Sequence, residues 1–181
     1  MPKPGSPSTG TSNDSLCLHC ALCCNGVLFD DVKLRPDENA EALMSIGIPI
    51  RNPAGRTPKF LQPCSCLHGT SCQVYAHRPA QCRAFECRLL QRVANGERSR
   101  AEAMATILRA KGAVRAVERQ LEASGEGSLQ RGLGWRYARV MRSPMDLDTD
   151  PDAAETRGRL MRAMDRLMRV LQREFLGTSV E

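Results

Sequence analysis

Lysine is nearly missing from this chain: 22 of its 26 basic residues are arginine. Aromatic residues are also scarce, seven in 181 positions. That is too few for the stacking platforms that single-strand nucleic-acid binding usually sets among basic side chains. No stretch approaches the roughly 18 uninterrupted apolar residues of a membrane helix. The opening MPKPGSPSTGTSNDS holds no apolar run of the secretory kind, and its Pro, Gly, Ser and Thr read as a disordered leader over residues 1–15. Glycine-rich phosphate loops, Ser-His-Asp sets and metalloprotease helix motifs are absent, so no motif marks a substrate pocket. Finally, the 94 residues after Cys87 contain no cysteine at all.

All nine cysteines therefore fall between Cys17 and Cys87. Without a secretory segment the expected compartment is the cytoplasm, which is reducing and disfavours stable disulfides. An odd count fits a disulfide scaffold poorly as well, and clustered thiols in such a setting point to metal or redox chemistry. The formal charge of +6 divides into +2 over residues 1–90 and +4 over 91–181, with every cysteine counted neutral. Four thiolates around Zn²⁺ carry a net −2, so a loaded cysteine region becomes neutral or acidic, and the balance is only a mild pointer to an anionic partner.

Along the chain, Gly26-Val27-Leu28-Phe29 reads as a short strand. Pro36-Asp37-Glu38-Asn39 opens a helix that Gly47 closes. Residues 48–63, with five Pro or Gly positions, read as a loop crossing the domain. Gln73-Val74-Tyr75 suggests another brief strand, and Pro79 starts a helix running to about Ala94, stopped by Asn95-Gly96. In the second half Ile107, Val114 and Leu121 recur every seven residues, with Met104, Leu108 and Val117 in the same stripe, so residues 98–123 form an amphipathic helix. Residues 129–141 hold the only Trp. After an acidic linker at 146–151, a last helix over about 152–176 carries Leu160, Met164, Leu167, Leu171 and Phe175 on one face. Arg159, Arg162, Arg166, Arg169 and Arg173 lie mostly off that face, as a solvated surface would. Met161, Met164 and Met168 read as core filler.

The first cysteine cluster is CLHCALCC, residues 17–24. A C-x-x-C turn brings two thiolates within reach of one ion, and Cys17-x-x-Cys20-x-x-Cys23 repeats that turn with Cys20 shared. Zinc takes four ligands, usually as two C-x-x-C pairs. A [4Fe–4S] cluster takes three thiolates from a C-x₂-C-x₂-C run and a distant fourth. The spacing leaves the metal open. Adjacent side chains diverge, so Cys24 either serves a second metal, bridges, or packs, and nine thiols fill two four-ligand sites with one over as readily as one site with spectators. On a continuous helix Cys82 and Cys87 stand roughly 140° apart and do not share a site. His19 and His68 lie between cysteines and are candidate ligands; His77 is a weaker one. A dithiol redox centre needs a βαβ setting, and none precedes Cys17.

These residues resemble a known family. CLHCALCC, followed by CSCLHGTSCQVYAHRPAQCR at residues 64–83, is similar to the two signatures of the bacterial C-x-x-C-x-x-C-C family, the YkgJ-type zinc- or iron-chelating proteins. The likeness covers about residues 15–90. It implies metal ligation by Cys17, Cys20, Cys23, Cys24, Cys64, Cys72 and Cys82, with Arg78 and Arg83 as electrostatic partners of the thiolates. Cys66 stands where the family usually has an apolar or aromatic residue, and Cys87 falls just past the R-P-x-x-C-R signature. Some relatives are linked to flagellin lysine methylation through an iron–sulfur centre.

The expected fold is mainly α with minor β: a metal-binding unit at 16–96, held by Zn²⁺ or iron, and a helical extension at 97–181 packing on it or on a protein partner. The expected function is chelation of zinc or iron through thiolates of two segments. The alternatives are an iron–sulfur-dependent redox or protein-modifying enzyme, and a zinc-stabilised adaptor for protein or nucleic acid. A membrane partner is not expected, and a nucleic-acid one hardly more.

Overall fold

A computed structural model describes residues 14–52, 54–145, 148 and 151–176. The expected leader, up to residue 13, and most of the linker at 146–151 lie outside the described residues. The architecture is mainly helical with two small two-stranded sheets. Among the described residues no helix is long and apolar enough to cross a membrane.

The first helix, α1 (Asp14–Cys20), was not anticipated from the sequence. It takes up the last two residues assigned to the leader and carries Cys17 and Cys20. The strand expected at Gly26–Phe29 is instead a series of bends; pairing begins at β1 (Asp31–Lys33). Its partner β2 (Lys59–Leu61) lies inside the stretch read as loop, with Asp31 opposite Leu61 and Lys33 opposite Lys59. Lys59 meets Asp31 across the ribbon at 2.5 Å, which offsets the crowding of two lysines.

Between them α2 (Ala40–Ser45) starts just after the Pro36–Asn39 stretch expected to open it: Pro36–Glu38 form a turn, and the Asn39 side chain caps the helix by accepting from the Ala42 N–H at 3.0 Å. A hairpin, β3 (Leu67–His68) with β4 (Ser71–Cys72), sets Leu67 opposite Cys72. The strand expected at residues 73–75 is a turn leading into a 3-10 segment, Tyr75–His77.

The helix expected from Pro79 to Ala94 is broken. It appears as α3 (Ala80–Ala84) and α4 (Arg88–Ala94), with Phe85 and Cys87 in extended conformation between them. The Phe85 ring meets Phe29 edge-on at 4.9 Å, and that contact to the first cysteine segment competes with helix continuation.

The longest helix, α5 (Arg100–Ala123), opens on a capping box. The Ser99 hydroxyl accepts from the Glu102 N–H at 3.2 Å, while the Glu102 carboxylate accepts from the Ser99 N–H at 2.8 Å. It packs chiefly on α7 (Ala153–Leu171), which continues into a π turn at Gln172–Leu176; α6 (Leu133–Arg142) lies between them in sequence. The apolar face foreseen for the last helix is buried, and Arg159, Arg162, Arg166, Arg169 and Arg173 are exposed. Two assignments change: Leu108 is 62% exposed, and of the three methionines only Met164 is buried, Met161 and Met168 facing out.

Two hydrophobic clusters result. The larger joins Leu16, Leu22, Leu89 and Leu90 of the cysteine region to α5, α6, α7 and Phe175. The smaller gathers Leu34, Leu43, Ile48, Phe60 and Cys66.

Candidate metal centre

The positions of the thiols follow from the local chain. Three residues apart on α1, Cys17 and Cys20 share a face. Ala21 then adopts φ of +59°, the left-handed region rare for residues with a Cβ, and the helix ends. The Cys24 and Asn25 N–H groups both turn back onto the Ala21 carbonyl at 2.9 Å. Leu22, fully buried between Cys20 and Cys23, anchors this turn in the larger core. The two cysteine segments are tied directly: the Cys64 N–H donates to the Cys24 carbonyl at 2.8 Å. The hairpin register sets Cys72 opposite Leu67, and the Gln73 N–H donates to the Cys66 carbonyl at 2.9 Å.

A cavity of about 590 Å³ lies between the segments, and its wall includes every cysteine except Cys64 and Cys66. None of the nine is in a disulfide. Of the residues expected from the sequence, Cys17, Cys20, Cys23, Cys24, Cys72 and Cys82 face this space, and Cys64 lies next to Cys24 and Cys82. His19, His68 and His77 are all exposed. Cys66 is buried in the smaller core, its thiol 3.7 Å from the Ile46 carbonyl.

The residue that sequence reasoning passed over is Cys87. The argument against it assumed a helix continuous through Phe85, and the break at residues 85–87 swings Cys87 to Cys20 and Cys23. The one signal in the sequence was arithmetic, nine thiols being enough for two sets of four.

Burial and mutual repulsion govern the thiol chemistry. Cys20 is pushed up to about 12, first by burial and then by Cys87 and Cys17, while Lys111 pulls the other way. Burial raises Cys23 further, reinforced by Cys20 and Cys87. Cys24 is raised by burial and by Cys72, against Arg78. Cys64 rises to about 11 and Cys82 to about 12, again through burial first and neighbouring thiols next. At Cys87 burial raises the thiol, while N–H groups of the first turn of α4 pull it down. Arg78 is held over the Tyr75 ring at 3.6 Å and donates from Nε to the Tyr75 carbonyl at 3.1 Å, so its charge stays near Cys24 and Cys82. Arg83 is exposed.

Crowded, reduced, half-buried thiols with little positive charge nearby suit a thiophilic cation, which would turn the raised pKa values into bound thiolates. Among the described residues, however, no three Cys, His, Asp or Glu side chains stand in an arrangement that could hold a metal ion. The donor chemistry fits; the sulfurs are gathered without being closed on a common point.

Neither a curated protein nor a solved structure matches the chain. A family model does, over residues 16–106: CxxCxxCC, described as a putative zinc- or iron-chelating domain. The match passes the Asn95-Gly96 stop and takes in α4 and the first two turns of α5. Spanning half of the sequence and both cysteine segments, it shows that the chain belongs to the CxxCxxCC family.

Proposed function

We propose that the protein chelates zinc or iron through thiolates supplied by two separated segments, with Cys17, Cys20, Cys23, Cys24, Cys64, Cys72 and Cys82 as ligands. The observation that carries this reading is the convergence of the two segments: thiols of both line one cavity, and the Cys24–Cys64 backbone hydrogen bond ties them together. Bound metal would stabilise the fold outright, as structural zinc does, and in an iron–sulfur form it would supply electron transfer. The chain's own part is to withhold water from the thiols through Leu22, Leu89 and Leu90, and to offset thiolate charge with Arg78 and Lys111. Nine reduced thiols at this density belong in a reducing compartment, and we assign the protein to the cytoplasm.

The test is anaerobic purification with elemental analysis and an absorption spectrum. At least one equivalent of zinc or iron is expected; a colourless protein with less than one equivalent of any transition metal overturns the reading.

The cavity favours a second reading, an iron–sulfur-dependent redox or protein-modifying enzyme. Its 590 Å³ exceeds what an ion needs and falls within the range of small-molecule sites. That reading predicts a brown anaerobic preparation with the charge-transfer absorbance of thiolate-bound iron, and a colourless zinc protein rules it out.

A further inference from the structure

We propose that the cavity where the two hydrophobic clusters meet binds a small, uncharged aromatic molecule carrying one hydrogen-bond donor, an O–H or N–H, and that the Gln62 carboxamide receives that donor. The proposal goes beyond chelation and does not depend on it.

Three observations carry it. The first is place and size. Leu22, Ile107 and Phe175 of the larger cluster and Leu34 of the smaller one all stand in the wall, so a space of about 590 Å³ opens between two cores. Protein interiors rarely keep apolar space of that size, and where they do it takes apolar guests. The volume is that of a site for a small organic molecule. The second observation is composition. The chain has only seven aromatic residues, and four of them, Phe29, Tyr75, Phe85 and Phe175, stand in this wall. Their rings offer faces and edges to a flat, ring-bearing ligand.

The third is an unspent polar group. Gln62 belongs to the same wall and is only 2% exposed. Its backbone N–H is fixed on the Asp30 carbonyl at 3.0 Å, but its Oε1 is buried with no hydrogen-bond partner among the described residues. A buried acceptor left unpaired destabilises the fold, and a donor on a ligand would satisfy it. The charged groups of the wall do not call for an ionic ligand. Lys33 and Arg35 are exposed, Asp31 pairs with Lys59, and Arg78 lies over Tyr75. Apolar and aromatic walls with few placed polar groups are the usual make-up of a small-molecule site.

The experiment compares two probes of one skeleton, 2-naphthol and 2-methylnaphthalene, titrated by their own fluorescence into the full-length chain as purified anaerobically. Each should bind at about one equivalent, with intermolecular Overhauser contacts from the bound naphthol to Ile107 and Phe175. Gln62→Met keeps the approximate shape of the side chain and removes the carboxamide. It should weaken 2-naphthol about five- to tenfold, the worth of one hydrogen bond, and leave 2-methylnaphthalene unchanged. Failure of both probes to bind overturns the proposal, as do contacts outside the cavity or equal weakening of both probes. Unchanged naphthol binding in the variant overturns it too, because water then serves Oε1. If the variant does not fold, the wild type decides: 2-naphthol must bind at least as tightly as 2-methylnaphthalene, which water expels more strongly. Metal analysis of the same preparation keeps the two readings apart. A metal-bearing chain that binds neither probe loses this site and keeps chelation; a metal-free chain that binds 2-naphthol with the expected contacts keeps the site and loses chelation.

Discussion

A single arginine illustrates how much of the site's electrostatics comes from one side chain. Arg78 is fixed by its stacking on Tyr75 and its bond to that residue's carbonyl, and it favours thiolate at Cys24 and Cys82. Arg78→Ala should therefore weaken metal affinity about 10–100-fold, as loss of an outer-shell partner does, measured by competition with a chromophoric chelator. The thiols themselves predict a pH effect. Burial raises Cys20, Cys64 and Cys82 from 9.0 to about 12, 11 and 12. Between the unfolded and folded values the folded chain holds more protons than the unfolded one. Stability of the metal-free protein should thus be full below pH 9 and fall as pH rises toward 12. Denaturant melts at stepped alkaline pH read this directly, and a flat profile contradicts it. At this scale the sequence was informative about residue type and spacing, so Cys17 to Cys24 were legible as a group. Cys87 was not, because its place depends on a helix break at Phe85, whose ring partner Phe29 lies 56 residues earlier in the chain.

Among the elements, legibility followed periodicity. The helices α5 and α7 repeat their apolar residues over many turns, and spacing alone marked the buried face of α7 and, apart from the exposed Leu108, the heptad positions of α5. The short elements around the cysteines were misplaced: α1 was missed, β1 was expected some residues early, and β2 was read as loop. Each has seven residues or fewer and is held by tertiary contacts rather than by its own pattern. One such contact sets the start of α6. The Leu133 N–H donates to the Gly26 carbonyl at 2.7 Å, and the Trp135 N–H donates to Asp30 Oδ1 at 3.2 Å. The approach is close enough that a Cβ on Gly132 would overlap that carboxylate oxygen, and one on Gly26, at φ of +80°, would lie 2.9 Å from the Gly132 Cα. Gly132→Ala should cost about 1–3 kcal/mol, seen as a lowered midpoint in thermal unfolding. An unchanged midpoint would mean that α6 yields easily.

For the whole molecule, the important fact is that one hydrophobic cluster spans the cysteine region and the C-terminal helices. Leu16, Leu22, Leu89 and Leu90 of that region pack with residues of α5, α6 and α7. The link is also ionic. Glu174, buried in the turn after α7, faces Arg92 at 3.6 Å, Arg98 at 3.6 Å and Arg173 at 2.9 Å. Arg92 belongs to α4, the helix that follows Cys87. Glu174→Gln should destabilise the fold by about 1–3 kcal/mol, less than a fully enclosed pair because the arginines are partly wet, and denaturant titration measures it. The sequence offered Arg173 only as part of a solvated face; its buried partner next to it, Glu174, cannot be recognised as such without the fold.

The packing of α6 has an optical corollary. Trp135, the sole indole in the chain, rests under Arg131 and Arg139 at 4.6 and 5.6 Å, and its backbone hangs on Asp30, six residues beyond Cys24. Under the proposed chelation, a rearrangement of the thiol loop on metal uptake would pull on that tether and shift the cations over the ring, so Trp135 emission is expected to change as metal is titrated into the chain.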